Sequence, residues 1–399
     1  MVSRLKEDLT TNSHDSEVAR LTRGEAIARV ALAGFVLLLA LAGRGRARLW
    51  AHGAPAPAAA PEVIPPAPDP RFPQVPSWKT ELGQLAPNIY AYIQGGGPGI
   101  PSQSISNAGI VIGDDGVLVI DATAGPMHAK NFISAVRKVT DKPFRQLINT
   151  HHHTDHVGGN QYFMPVEIVA HPYLRDEVLK AASTAPSLWA KREGFADGTE
   201  ERKVVLPTTT FEGKLTYHYG KTIVELISMV PSHTWGDTVV YLPQHKIMWV
   251  GDIGFFYVVP FFQSAHVIKW LETIDKINAM DVETIVPGHG PIGGKTELAE
   301  MGEYSRLLMR EAKKRFDVGM SPGQAAADIR LGKFDNWIGP QQIVMNVVRL
   351  YHHFNGTVVP DVDREGMLKA TLEYNAIKSK RPLMGNCSKR PRRTRRAKR

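Results

Sequence analysis

Ten consecutive residues constrain this chain more than any other feature: Thr150-His151-His152-His153-Thr154-Asp155-His156-Val157-Gly158-Gly159 packs four imidazoles and a carboxylate into six positions. A structural core would not tolerate them, because buried imidazoles and carboxylates need partners. The spacing His-x-His-x-Asp-His suits a tight loop after a strand, where alternate side chains converge on one point. Neutral imidazole and carboxylate are the ligands of zinc and related divalent ions. Five such groups exceed one tetrahedral site with an open position, so the count asks for two metals.

The flanking sequence reads as strands and helices in two similar passes. Residues 89–94, 109–113 and 116–120 are short apolar runs split by Gly and Asp turns, 127–139 carries a helical pattern, and 145–149 delivers the chain to the histidines as a strand. A second pass places strands at 222–230, 238–242 and 246–250, a helix at 267–279 and a short strand at 283–286. Strands in runs, each set followed by helix, indicate two packed sheets with helices outside. Three further candidates each follow one of these strands: His233 in Ser232-His233-Thr234, Asp252 after Gly251, and His289 in Pro287-Gly288-His289-Gly290-Pro291. Ligands at the ends of separate strands are how a rigid sheet positions a metal pair. From 296 the chain turns helical, with 296–316, 322–330 opened by Ser321-Pro322, and 341–354 stopped by Gly356. These helices suit a cover, a lid or the contact of a homodimer.

The formal charge of +9 would suggest a nucleic-acid partner, but residues 388–399 hold eight basic residues and no acidic one. Taking those eight from +9 leaves a nearly neutral body, which gives no support for specific nucleic-acid binding. The single cysteine, Cys387, excludes a cysteine-based zinc ribbon. Residues 30–43 form an uncharged apolar run behind Arg20, Arg23 and Arg29, with Ala40-Leu41-Ala42 at a spacing that suits cleavage. The run is shorter than the roughly 20 residues that span a bilayer core, so residues 1–50 read as a signal peptide or membrane anchor of an exported, periplasmic or membrane-anchored protein. Nine prolines between Pro55 and Pro76 mark 51–77 as an extended linker, so that folded protein is expected from about residue 78. The basic run, within 381–399, reads as a disordered tail.

The ordered set His151, His153, Asp155, His156, His233, Asp252 and His289 resembles the metallo-β-lactamase superfamily in its dinuclear-hydrolase form. The resemblance implies an αββα four-layer sandwich over 78–295, with 296–380 as a C-terminal helical extension. It implies that His151, His153 and His233 hold one Zn2+ (or Mn2+ or Fe2+). It places Asp155, His156 and His289 on a second ion, with Asp252 bridging both. Asp121 matches an aspartate that supports the metal loop from behind, and His152 reads as a supporting or packing residue. Two such ions lower the pKa of a shared water and make hydroxide available near neutral pH. Asp155 would orient it and pass a proton to the leaving group. The expected activity on a small molecule is hydrolysis of an ester, lactone or related acyl bond.

Departures from particular members narrow that class. Asp252 stands where one β-lactamase class has cysteine, and Phe255 stands where β-lactamases commonly have lysine. Both disfavour β-lactams, which remain an alternative together with thioesters gripped by Arg306, Arg310, Lys313 and Lys314. Phosphotriester hydrolysis and an iron-dependent persulfide dioxygenase are more distant alternatives. The run 253–262 directly after the bridging position holds five aromatics, Phe255, Phe256, Tyr257, Phe261 and Phe262, and is expected either as an apolar substrate wall, with Phe255, Phe256 and Tyr257 as its contact residues, or as core under the C-terminal helices.

Overall fold

Parallel strand neighbours need a crossover, and three of the crossovers in this chain contain a helix of eleven or more residues. The computed structural model describes residues 61–100, 106–184 and 203–380. Strands β1 (Glu81–Ala86), β2 (Ile89–Ile93), β3 (Ala108–Ile112) and β4 (Val117–Ile120) pair antiparallel in succession. Helix α1 (Pro126–Val136) then carries the chain back, so that β5 (Phe144–Ile148) lies parallel to β4. The one-turn helix α2 (Thr154–Val157) follows, then β6 (Glu167–Ala170), helix α3 (Pro172–Thr184) and the short β7 (Thr209–Thr210). Together these strands complete a seven-stranded sheet in chain order. The second sheet runs β8 (Lys214–Tyr219), β9 (Thr222–Ser228), β10 (Thr238–Leu242) and β11 (Ile247–Phe255), all antiparallel. Helix α4 (Val267–Ala279) crosses over to β12 (Thr284–His289), parallel to β11. Helices α5 (Lys295–Asp317), α6 (Pro322–Asp328), α7 (Ile343–Phe354) and α8 (Arg364–Lys380) complete the described chain.

The two-residue period of the strands assigns the layers. Leu118 and Ile120 of β4 join Val240, Leu242, Ile247 and Trp249 in a core between the sheets. Their neighbours Val117 and Val119 join Phe132 and Val136 of α1 on the outer face. Met248 and Val250 of β11 pack with Trp270 and Ile274 of α4, Leu298 and Leu308 of α5, and Val344 and Val347 of α7. Both faces of both sheets are therefore covered, and the central strands are apolar throughout because neither side meets water. This is the expected αββα sandwich, with the helical extension packed outside the second sheet. Gly356 takes a left-handed conformation (φ 69°) just past the Asn355 cap, as its position after α7 suggested. No helix among the described residues is long and apolar enough to cross a membrane. The expected signal or anchor segment and the basic tail lie outside the described residues.

The start of the folded protein differs from the expectation. Residues 61–77 lack helix but are not a free spacer, because the C-terminal helical part holds them. Val63 is buried in the core beneath the second sheet. The amide of Asn336 donates to Asp69 O, Phe72 O and Pro73 O at 3.0, 2.9 and 3.1 Å, and its Oδ1 accepts from Asp69 N at 2.7 Å. Asn375 accepts from Ile64 N and donates to Glu62 O. Proline composition excludes a regular ladder, but side-chain amides can satisfy such a segment as well as strands do. Asn336→Ala should strand those carbonyls and cost about 1–3 kcal/mol, read as a lower urea midpoint; an unchanged midpoint would mean that the strap contributes no stability.

Candidate metal centre

Each inward-facing side chain leaves the end of a strand or the turn beyond it. β5 ends at Ile148, and Asp121, the residue after β4, takes hold of the loop that follows. Its Oδ1 accepts from Thr150 N and its Oδ2 from Thr150 Oγ1, both at 2.8 Å. The same Oδ2 lies 2.8 Å from His156 Nδ1. A carboxylate there keeps the proton on Nδ1 and leaves Nε2 as a lone pair for a metal. These contacts are made from a left-handed backbone at Asp121 (φ 58°), the kind of strain found where surrounding structure over-determines a functional residue. His233 sits on a turn fixed by Asp237, which accepts from Thr234 N and Thr234 Oγ1, both at 2.7 Å. Burial lifts the Asp237 carboxyl to about 7 in spite of those bonds. Asp252 lies in β11 and His289 ends the parallel β12, so adjacent strands deliver them side by side. Gly288 is required by this closeness, since a Cβ there would collide with Asp252 Oδ1.

The seven side chains form two groups, His151, His153, His233 and Asp252 in one, Asp155, His156 and His289 in the other. In the first, His153 Nδ1 lies 3.1 Å from His151 Nε2 and 3.0 Å from His233 Nε2. Asp252 Oδ2 lies 3.5 Å from His151 Nε2 and 3.3 Å from His233 Nε2. In the second, Asp155 Oδ2 lies 3.6 Å from His156 Nε2 and 3.2 Å from His289 Nε2. Asp252 Oδ1 turns to this second group, 3.0 Å from His156 Nε2 and 3.3 Å from His289 Nε2. Metal–nitrogen bonds of about 2.0–2.1 Å at tetrahedral angles put ligand atoms about 3.3 Å apart, the spacing seen in both groups. One carboxylate thus offers one oxygen to each group.

Hydrogen bonding alone does not satisfy this arrangement. A single proton on His153 Nδ1 can bridge to only one of its two imidazole neighbours, so a pair of lone pairs remains opposed. His156 Nε2 and Asp252 Oδ1 are buried and make no hydrogen bond. A divalent cation in each group removes both conflicts, so the donor set fits two metal ions. Burial, followed by the charge of His156, lowers the His151 imidazole to about 3, and burial likewise holds His233 well below its ordinary range. Both are neutral at physiological pH, as ligands must be. Burial opposes charge on His289 too, but Asp252 and Asp155 outweigh it and lift that ring to about 9.

All seven expected ligands come together, and Asp121 sits behind them as expected. His152 turns aside, its ring 5.9 Å from that of Tyr173 and its Nδ1 buried without a partner. The expected wall is placed differently. Phe255 and Phe256 are fully buried, and Phe255 stacks on the His289 ring (5.0 Å, 12°) and tilts against His233 at 5.7 Å. They back the ligand rings, because β11 continues through Phe255 into the core; only Tyr257 is partly exposed. Two further residues beside the centre come from the next turn, the half-exposed Phe261 and the buried Ser264. The Phe261 ring lies 6.4 Å from that of His289, and Ser264 Oγ lies 3.5 Å from His153 Nε2. Sequence reading included Phe261 in the aromatic run but missed Ser264, and it missed the α7 side chains that hold their turn. Asn346 donates to Pro260 O and accepts from Phe262 N, Arg349 donates to Ala265 O, and His353 accepts from Val267 N. The signal available was Asn346 and Arg349, polar residues three apart within the apolar stretch 343–351.

Comparison with known proteins agrees with this geometry. A family model described as the metallo-beta-lactamase superfamily matches residues 102–289. A linear primary-alkylsulfatase of Pseudomonas sp. (strain ATCC 19151) is 22% identical over 259 residues, covering 54% of this chain and 48% of that protein. The type 2 metallo-beta-lactamase of Bacillus sp. (strain 170) is 28% identical over 229 residues, covering 54% of this chain and 77% of that one. Among solved structures, a stereoselective inverting sec-alkylsulfatase from Pseudomonas sp. matches with a TM-score of 0.52 at 16% identity, over 69% of this chain and 50% of that chain. The chain therefore spans about half the length of both alkylsulfatases.

Gly288→Ala should push the Asp252 carboxylate off its position between the groups. The expected result is loss of at least one metal equivalent by elemental analysis, with an unchanged far-ultraviolet circular dichroism spectrum. A variant that kept two equivalents would show that the close approach is not needed.

Proposed function

We propose that the chain is a dinuclear zinc hydrolase that cleaves an ester, lactone or related acyl bond, a reading supported by the match of residues 102–289 to the metallo-beta-lactamase superfamily model and by the two ligand groups. The observation that carries the reading is the division of the Asp252 carboxylate between two ligand groups. Two zinc ions held there would supply hydroxide at neutral pH and polarise the oxygen of the scissile bond. The chain's own residues do the rest. Asp155, the carboxylate of the set that reaches the surface, with 28% of its side chain exposed, orients the attacking water and carries its proton to the leaving group. Asp121 and Asp237 keep the rings aimed, and Ser264 steadies His153 from its outer nitrogen. No serine or cysteine nucleophile is needed.

A second reading, cleavage of an alkyl sulfate ester, is favoured by the relationship to a protein named linear primary-alkylsulfatase. It requires the same water and the same leaving-group proton. The proposal includes export, supported by the apolar run 30–43, and pairing of two copies through the C-terminal helices.

Purified protein loaded with zinc and given carboxylic esters, lactones, thioesters, β-lactams, alkyl sulfates and phosphotriesters should turn over the esters and lactones fastest. Turnover confined to alkyl sulfates would replace the first reading with the second. Asp155→Asn should lower kcat by about 10²–10⁴-fold on the best substrate, while the first group keeps its ion. Wild-type turnover by that variant would remove Asp155 from the proton path.

A further inference from the structure

We infer that Ser106 and Asn107, at the entrance to β3, are the positioning element of the second metal group; this rests on the two-metal reading above. Neither residue is a ligand and both are buried. Their contacts go to the two loops that carry Asp155 and His289. Asn107 Nδ2 donates to Pro287 O at 2.9 Å and to Gly290 O at 2.8 Å, and Asn107 N donates to Gly288 O at 2.8 Å. The remaining carbonyl of the 287–290 turn, that of His289, accepts from Phe256 N at 2.9 Å. One residue thus satisfies three of the four carbonyls of the turn that aims His289 and presses Gly288 against Asp252.

Ser106 works on the other loop, donating from Oγ to the backbone carbonyl of Asp155. The pair is fastened from behind by Gln94, whose N donates to Asn107 Oδ1 at 3.1 Å and whose Nε2 donates to Ser106 O at 2.5 Å. Gln94 Oε1 in turn lies 3.0 Å from His128 Nδ1. Every polar group of the Asn107 side chain is used, and a buried amide in that state has one arrangement only. The first group is fastened mainly by other residues. Asp237 holds the turn of His233, and Asp121 serves both groups, holding Thr150 beside His151 and the Nδ1 of His156. The Ser106–Asn107 pair bonds only the loops that carry Asp155 and His289, so its loss should loosen the second group far more than the first.

The test is a stepwise zinc titration of metal-free protein against a competing chromophoric chelator, for wild type, Asn107→Ala and Ser106→Ala. Wild type should bind two ions. Both variants should bind the second ion 10–100-fold more weakly, the range expected when the support behind a metal ligand is removed, with the first constant changed by less than about threefold. Ser106→Ala removes one hydrogen bond and leaves the carbonyls of 287–290 paired, so it answers the question even where Asn107→Ala folds poorly. Two ions in wild type with an unchanged second constant in Ser106→Ala would overturn the inference alone. Equal weakening of both constants would also overturn it, since the pair would then support the scaffold in general. A wild-type chain that takes up one ion would overturn the two-metal reading and this inference together.

Discussion

Imidazole nitrogens and carboxylate oxygens face one another at 3.0–3.6 Å, out of water, an arrangement that holds only with positive charge, from protons or metal ions, between them. Much of the architecture around them fixes that arrangement from outside. Asp121 grips His156 by its other nitrogen, Asp237 grips the His233 turn, Asn107 grips the His289 turn, and the Phe255 ring lies flat on His289. None of these contacts touches a metal-facing atom. Each removes freedom that the ligand would otherwise lose when an ion binds, so the centre is aimed before it is filled.

The same edge also sets how the two sheets meet. Between the sheets, contact is made mainly by Ile, Leu, Val and Trp249, and apolar contact is not directional. Directional bonds join the sheets at Tyr219 Oη, which donates to Gln146 Oε1 at 2.9 Å, and at the metal edge. Thr238 N of the second sheet donates to Thr150 O of the first at 2.8 Å, and Asn107 of the first holds the loop of β12 in the second. With ligands drawn from both sheets, a slide of one over the other by even an ångström would open the ligand spacing. Hydrogen bonds at this edge resist that slide where hydrophobic packing would tolerate it.

Much of this was legible in sequence because it depended on local pattern. The ligand residues fall at or just beyond runs such as KIMWV and TIVELISMV, and helix 267–279 shows its apolar face plainly enough to be bounded correctly. Strand β8 was not legible, since LysLeuThrTyrHisTyr alternates with polar residues at an exposed edge and has little apolar content. β1 and α8 were missed for the same reason: their faces are half-exposed and carry little apolar pattern. Asn107, Asn336 and Asn346 were beyond reach because an asparagine's value depends on which carbonyls arrive opposite it. Those carbonyls come from segments 180, 267 and 86 residues distant. Phe255 and Phe256 were read with two alternatives, and burial chose the core.

A turn that borders the ligand groups lies at the joint between the sandwich and the helices beyond it. The turn at 260–265 brings Phe261 toward His289 and Ser264 toward His153, so it borders both metal groups. Its conformation is not held by the sheets. Asn346, Arg349 and His353 of α7 hold it, and α7 lies past residue 289, where the superfamily match ends. Burial lowers Arg349 to about 10, which leaves it charged, and lowers His353 to about 4, which leaves its Nε2 neutral and able to accept from Val267 N. Every donor of Arg349 that is engaged meets a backbone carbonyl (Ala265, Val359 or Asp361), so a buried cation is spent on shaping two loops. The ligand groups are thus bordered by a segment whose shape depends on the chain's own C-terminal helices.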